Sequence, residues 1–512
     1  MKSKYLVTRS AAVFSAFTVL SRILGLVRDM LAASIFGAGM LWDAFVVAFT
    51  FPNLFRRVLG EGALGASFVP VFTEYMHKYG KQQAWKIANI VISLLTVILI
   101  GLSIVVIGLL TAGRWWIQLS ARIDLVFKLS QIMFPYVIFI CLVGLFMGIL
   151  NAFHRLAVPA VAPAVFNLIL IGAIWFLRGA RTENEICILA WVVLAGGIIE
   201  LLIHIPVLRQ VGMHFRPDFA WRNPGVRKIV FLMGPMILGF GVIQINIVVD
   251  RMLALWLGPG CTSNLYYGNR LVQLPLGVFG VAIALASLSV MSKQVARKDM
   301  DGFRDTLNYG LRTGFFIGLP ACMGLIVFRY PLIRIIFQRG AFDAEAVVSC
   351  SRVLLCYSTG LFAYLGLKIV TQGFYALQDS RTPVKIAAVM VILNLVLNLI
   401  LMVPLKEAGL ALATAICAII NMTVLMVLLC RKMGWGLYRT ELWLSWIRNA
   451  GAAIITGLGC WIIMAKVPAI ANSAPALLMA VIMAIGVYIL ISLVLGGKET
   501  REIIANLKYG KK

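Results

Sequence analysis

Charged side chains are scarce in this 512-residue chain: 13% of positions are Asp, Glu, Lys or Arg, half of the roughly 25% found in an ordinary soluble domain. Acids are the scarcer sign, 20 against 46 Lys and Arg, which leaves a formal net charge of +26. Cysteine pairing is missing as well. The nine cysteines stand singly inside apolar runs, none in a CxxC pair and none at ligand spacing from one of the four histidines. That excludes a disulfide framework and a zinc site, and makes the thiols small buried hydrophobes. There is no Walker A loop, no HExxH, no GxSxG and no dinucleotide fingerprint; Gly37-Ala38-Gly39 and Gly60-Glu61-Gly62 are helix breaks, not phosphate loops. No catalytic constellation is present, so the chain is not an enzyme and not a pump powered by its own nucleotide site. Any work it does draws on an ion gradient, the membrane potential or its substrate's own gradient.

What is abundant is apolar surface: 61% of residues, with a mean hydropathy of +0.95. Runs of about 20 apolar residues, the length that crosses a ~30 Å hydrocarbon core, recur at 10–35, 41–60, 86–112, 129–151, 157–177, 186–208, 229–257, 264–292, 310–328, 347–376, 384–404, 408–430, 445–465 and 475–496. They do not alternate, which excludes barrel strands. The expectation is an all-α polytopic membrane protein with fourteen transmembrane helices. The opening Met1–Leu20 resembles a signal peptide, but Arg22 and Arg28 follow at once and the apolar run continues, so it reads as an uncleaved first span with a basic leader. With both termini in the cytoplasm, 28 bases fall in inner segments and 10 in outer loops, the bias that the positive-inside rule requires. Most of the positive charge is thus an orientation signal, and nucleic acid is not the partner.

Eight bases remain inside or at the ends of apolar runs: Arg22, Arg28, Arg56, Arg57, Arg251, Arg270, Arg352 and Lys368. A guanidinium at a helix centre costs at least about 2.5–3.5 kcal/mol on insertion scales. Arg352 and Arg251 are placed to reach an interface; Arg28 and Arg56 sit mid-run and call for a polar cavity. The chain also repeats itself. Arg28-Asp29-Met30-Leu31-Ala32 is echoed by Asp250-Arg251-Met252-Leu253-Ala254, and Asn151–Pro159 by Tyr375–Pro383. Two pseudo-symmetric six-helix lobes follow, 1–210 and 211–433, plus two C-terminal helices in 434–512. Parallel repeats of this kind place a transport path where the lobes meet and give alternating access by rocking.

Two polar groups stand out. In the first two spans, Arg22, Arg28 and Asp29 share a helix, followed by Asp43, Asn53, Arg56, Arg57 and Glu61 around a kink at Pro52. Arg28 and Asp29 point about 100° apart, so ion pairing is expected with residues of other helices. Arg270 stands in a similar break, Tyr266–Pro275. Arg22, Arg28, Arg56 and Arg270 suit a phosphate-bearing anion through the bidentate guanidinium fork; the alternative is salt bridging to Asp29, Asp43 and Glu61, and both can hold in different conformations. In the second group Asp250, Asn394, Asn398 and Thr414 offer oxygen ligands for a hard monovalent cation, with interhelical hydrogen bonding as the alternative.

The segment from Ser21 to Phe72, SRILGLVRDMLAASIFGAGMLWDAFVVAFTFPNLFRRVLGEGALGASFVPVF, resembles the signature of the MurJ (MviN) family, the lipid II flippases of bacterial peptidoglycan synthesis. The likeness continues through Met233-Gly234-Pro235, Tyr266–Leu271, Gly277–Gly280, Gly373-Phe374-Tyr375 and Thr382-Pro383-Val384-Lys385. The resemblance implies the multidrug/oligosaccharidyl-lipid/polysaccharide exporter superfamily and a multi-pass protein of the bacterial cytoplasmic (inner) membrane. Its substrate would be lipid II, undecaprenyl diphosphate bearing a disaccharide-pentapeptide. It further implies that Arg28, Arg56 and Arg270, with Arg22, hold the diphosphate, that Asp29 and Asp43 are cavity acids, and that the 434–512 pair forms a groove for the lipid tail. No cofactor is expected beyond coupling to Na+, H+ or the membrane potential; membrane lipids and cell-wall synthesis proteins are the expected partners. A different member of the superfamily, exporting another polyprenyl-linked glycan or exchanging drugs for cations, is the alternative.

Overall fold

The computed structural model describes all residues except 1, 117, 154, 156, 178–181, 435–439, 468, 498, 500 and 502–512, together with the backbone but not the side chains of 2–16, 61, 238, 243, 440, 441, 469 and 471. Several bases of the orientation tally (Lys2, Lys4, Arg9, Arg178, Arg181, Arg439, Lys498, Lys508, Lys511 and Lys512) therefore lie outside the described side chains.

Packing divides the chain into two compact units, Met1–Leu255 and Trp256–Lys512. The first contains α1 (Lys2–Phe36), α2 (Met40–Phe55), a π-helical stretch Arg56–Leu64, α3 (Gly65–Lys78), α4 (Gly80–Trp116), α5 (Ala121–Met133), α6 (Tyr136–Ala152), α7 (Ala157–Phe176), α8 (Glu183–Gln210) and nearly all of α9 (Pro224–Leu257). The second contains α10 (Cys261–Pro275), a π-helical stretch Leu276–Gly280, α11 (Val281–Ala296), α12 (Met300–Val327), α13 (Arg329–Phe337), α14 (Ala344–Ser358), α15 (Leu361–Ala376), α16 (Arg381–Leu405), α17 (Glu407–Lys432), α18 (Thr440–Lys466), α19 (Ala469–Asn472) and α20 (Ala474–Val494). No strand occurs among the described residues. In hydrocarbon every N–H and C=O must find a partner within the protein, and a helix meets that demand inside its own segment.

Among the described residues ten helices are long and apolar enough to cross a membrane, and two bent pairs raise the number to twelve. The pair α5–α6 bends by 47° at Phe134-Pro135, and α14–α15 by 40° at Thr359-Gly360, where proline and glycine interrupt the backbone ladder. The helices α1 and α2 lie outside that set; α2 has only 16 residues. Large apolar side chains face outward along α4 (Ile98, Ile104, Leu109) and α20 (Leu478, Ile482, Leu490), each more than half exposed. Such a continuous apolar exterior is what lipid contact requires and water forbids.

In the first unit α1 packs on α7, α2 on α5, and α6 on α8 and the π stretch. Its core joins Phe68 and Phe72 of α3, Ile87, Ile90 and Leu99 of α4, and Val137, Cys141 and Ile149 of α6. The π stretch lies directly against α6: a Cβ built on Gly144 would stand 2.6 Å from the Gly60 carbonyl oxygen, so this approach requires glycine. In the second unit α12 packs on α11, α15 and α18, and α17 on α14, α15 and α16. Phe303, Leu307 and Phe315 of α12 meet Ile369 and Phe374 of α15 and Leu425 and Leu429 of α17.

Candidate functional site

The arginine-bearing helices of the two units are broken in the same way. In α2, Pro52 removes a backbone donor, and the chain widens from α to π geometry over Arg56–Leu64. In α10, Pro275 ends the helix that carries Arg270, and the π stretch Leu276–Gly280 follows immediately. Proline leaves a carbonyl of the preceding turn without its usual partner, and the wider helix is one local adjustment that accommodates the break inside a membrane. Basic side chains stand at or just before each break: Arg56 and Arg270 are both half-buried, and Arg57 is exposed.

On α1, Arg28 and Asp29 pair with each other, against the expectation that neighbours 100° apart would seek other helices. Arg28 Nη2 and Nε donate to Asp29 Oδ1 at 2.7 and 3.0 Å. The arginine stem is long enough to curl back to the fully buried Asp29. Arg28 also reaches α7, where Nη1 donates to Asn167 Oδ1 at 3.1 Å. Asn167 in turn donates to the carbonyls of Pro163 (3.0 Å) and Ser21 (3.2 Å), which fixes α7 to the face of α1 that bears Ser21 and Gly25. Arg22 is half-buried on the same helix. Asp43 is fully buried in the first turn of α2, where a carboxylate is favoured by the helix dipole. The side chain of Glu61 lies outside the described residues. Arg251 does not reach for an interface: it donates to the Val46 carbonyl at 3.1 Å and to the Thr50 hydroxyl, tying α9 to α2. Arg352 is exposed.

Of the proposed cation ligands, Asn394 and Asn398 are brought together on α16, 2% and 0% exposed, with Asn398 Nδ2 donating to Asn394 Oδ1 at 2.8 Å. Thr414, half-buried on α17, donates its hydroxyl to the Leu410 carbonyl at 3.0 Å. Asp250 is buried on α9, in the other unit. The two amides, one turn apart on the same helix, thus already satisfy part of each other's demand.

Sequence reasoning passed over three buried ionisable groups. Glu200 and His204, one turn apart on α8, are 3% and 0% exposed, and His204 Nδ1 bonds the Glu200 carbonyl oxygen at 2.7 Å. Glu407 opens α17 and accepts from Asn264 Nδ2 (3.3 Å) and Cys261 Sγ (3.4 Å) of α10. The signal was available: an acid and a histidine inside the 186–208 run are, like the arginines, rare in a membrane span.

Another feature of the second unit is an apolar cavity of about 460 Å³ framed by α12, α13, α18 and α20, with Pro275 and Phe279 of the Arg270 break also in its wall. No charged side chain lines it. Its polar hydroxyls are turned to the backbone, Thr456 to the Ala452 carbonyl at 2.8 Å and Tyr488 to the Phe316 carbonyl at 2.9 Å. Gly457 of α18 lies against α12 beside it, where a Cβ would stand 2.8 Å from Met323 Cε, the flexible tip of that side chain.

The chain resembles known proteins. The family model described as "Lipid II flippase MurJ" matches residues 32–483. The probable lipid II flippase MurJ of Vibrio cholerae is 36% identical over 466 residues, 88% of each chain. The lipid II flippase MurJ of Burkholderia cenocepacia is 34% identical over 469 residues, 88% of this chain and 89% of the relative. Among solved structures, a lipid II flippase MurJ in an inward closed conformation matches 96% of this chain and 100% of its own, with a TM-score of 0.77 and 25% identity. An inward-facing MATE multidrug transporter of the MOP superfamily matches 83% of this chain and 98% of its own at a TM-score of 0.67 but 13% identity, a likeness of fold alone. With the family's model spanning both arginine-bearing breaks and most of the cavity lining, the chain belongs to the MurJ lipid II flippase family.

Proposed function

We propose that this protein is a lipid II flippase of the bacterial cytoplasmic membrane, moving undecaprenyl diphosphate-linked disaccharide-pentapeptide from the inner to the outer leaflet by alternating access. The observation that carries this is the family match over 32–483. The membrane architecture of the proposal is fourteen spans in two six-helix lobes and a C-terminal pair, with both termini cytoplasmic. Arg22, Arg28, Arg56 and Arg270 hold the diphosphate, and Asp29, Asp43 and Glu61 are the acids that take the arginines back when the substrate leaves. The Arg28–Asp29 pair supports this exchange: a diphosphate oxygen replaces one carboxylate contact with another charge-assisted one, so the guanidinium is never left bare in low dielectric. The 434–512 pair, with α12, shelters part of the polyprenyl tail; the uncharged lining of the cavity supports that role. An arginine-bearing site disfavours a cationic drug as substrate. Asp250, Asn394, Asn398 and Thr414 are the proposed site for a coupling Na+ or H+, with the membrane potential as the other driving force, and cell-wall synthesis proteins are the proposed partners.

The test is reconstitution into proteoliposomes with fluorescent lipid II in the inner leaflet. A membrane-impermeant quencher then follows arrival of the headgroup in the outer leaflet, with and without an imposed potential. Translocation that needs the protein and falls at least tenfold in Arg270→Ala supports the proposal; no translocation by the native chain under any gradient overturns it.

A further inference from the structure

The apolar cavity has a closed end, and the way it is closed is specific. Along α12 the cavity runs from Phe316 to Phe328, along α18 from Ala453 to Cys460, and along α20 from Ile489 back to Val481. At one end the three helices seal around Phe316, Ala452, Ala453 and Tyr488, which form a buried cluster of their own. The seal has a backbone cause. In an α-helix the carbonyl of Phe316 would accept from the N–H four residues on, but that residue is Pro320, which has none. The Tyr488 hydroxyl of α20 supplies the missing donor at 2.9 Å. A proline on one helix thereby creates a fixed docking point for a tyrosine on another.

Beyond the seal lies a second fastening. Arg312, one turn before Phe316, donates through Nε to Glu499 Oε1 at 2.6 Å, and Ser445 Oγ of α18 donates to the same oxygen at 2.6 Å. Asn449 Nδ2 donates to Ser445 Oγ at 3.2 Å, and Arg448 Nη1 to the Gly496 carbonyl at 3.2 Å. Glu499 is 4% and Arg312 13% exposed. The chain doubles back after α20, with the Gly497 amide on the Ser492 carbonyl at 2.8 Å, and places Glu499 between α12 and α18. Removing one partner of such a buried ion pair is strongly destabilising.

We propose that Tyr488 is the floor of the polyprenyl groove and sets how many prenyl units it grips, with the Arg312–Glu499–Ser445 cluster as a bolt that keeps the floor closed. This rests on the assignment of the cavity to the lipid tail. From Phe316 to Phe328 the helix rises about 18 Å at ~1.5 Å per residue. An extended prenyl unit, four carbon–carbon bonds of roughly 1.5 Å, covers about 5 Å. The groove therefore grips about three to four units, a minority of an undecaprenyl chain, and the rest stays in the bilayer. Tyr488 is a positioning residue: it touches only the buried end of the tail and acts on recognition by chain length.

The experiment measures translocation of fluorescent lipid II analogues with tails of increasing prenyl number. For the native chain the rate climbs with each added unit and levels off near four. Tyr488→Ala opens the floor, and the plateau moves to longer tails by about one unit, the length of one helical turn. Ala484→Phe, one turn nearer the open end of α20, raises the floor and moves the plateau the other way. Tyr488→Phe keeps the ring and loses the hydrogen bond, so it lowers thermal stability and leaves the plateau in place. Glu499→Ala draws the bolt and shifts the plateau in the direction of Tyr488→Ala. An identical plateau in Tyr488→Ala and Ala484→Phe overturns the floor, and a Glu499→Ala protein that melts earlier with an unmoved plateau overturns the bolt. A native chain that translocates no analogue of any length instead refutes the flippase assignment itself, which separates the two failures.

Discussion

At the scale of single residues, the Arg28–Asp29 pair is a costly element of the fold and one worth perturbing. Both groups sit in a segment that reads as membrane-spanning, and the carboxylate is entirely buried. Removing one member of a buried pair leaves the other's charge less compensated, at up to about 3–5 kcal/mol, whereas removing both costs far less. Arg28→Ala is therefore expected to lower both thermal stability and growth support in cells that depend on this gene. The double variant Arg28→Ala with Asp29→Asn is expected to regain stability but not function. Melting curves in detergent beside a complementation assay separate the two effects. A double variant that supports growth would remove Arg28 from the substrate site. The sequence makes the need for a partner legible, since an unpaired charge inside an apolar run is prohibitive. It does not make the partner legible. A helical wheel gives the direction of each Cβ, not the course of a four-bond flexible stem, and the reach to Asn167 depends on how α1 packs against α7.

At the scale of elements, breaks matter more than helices. Pro52 predicts a kink from sequence alone, and the helix is indeed interrupted there, but as a nine-residue π stretch. That outcome depends on Gly144 of α6 admitting the Gly60 backbone at close range, a contact between distant parts of the chain that local pattern does not encode. The turn between α15 and α16 gives a cleaner case. Asp379 accepts from the Thr382 amide at 3.1 Å and the Thr382 hydroxyl at 2.9 Å, capping α16, and pairs with Lys432 at the end of α17. The Lys432 hydrogen bond, helped by Thr382, holds the carboxyl at about 2 against its burial. A folded-state value below that of the unfolded chain, near 3.9, means that Asp379 stabilises the fold above about pH 4 and loses this contribution as pH falls toward 2. Asp379→Asn is thus expected to melt below the native protein at pH 6, with the gap shrinking as the melts are repeated toward the acid limit. A gap that stays constant with pH would mean that the cap, not the charge, carries the effect.

At the scale of the whole molecule, the open quantity is how many times the chain crosses the membrane. Twelve crossings rest on length and apolarity among the described residues; fourteen require that α1 and α2 cross as well, although they carry Arg22, Arg28, Asp29 and Asp43 and one of them is short. Burial decides how those charges are tolerated: Asp29 and Asp43 are inside the protein, away from lipid. A helix can cross under those conditions, because its charged face meets protein and only its apolar face meets hydrocarbon. The composition could not reveal this, since hydropathy averages over all faces of a helix and penalises a charge wherever it points. The decisive positions are Ala38, between α1 and α2, and Tyr79, between α3 and α4, with Arg339 before α14 as a reference. Single cysteines at these sites, in a background without the native cysteines, are expected to divide. Ala38→Cys and Arg339→Cys react with a membrane-impermeant maleimide in spheroplasts, and Tyr79→Cys reacts only after permeabilisation. If α1 and α2 failed to cross, positions 38 and 79 would lie on one side and label together. Separate labelling places Arg22 and Arg28 of α1 and Arg56 of the π stretch after α2 inside the bilayer, where a lipid-linked diphosphate has to pass.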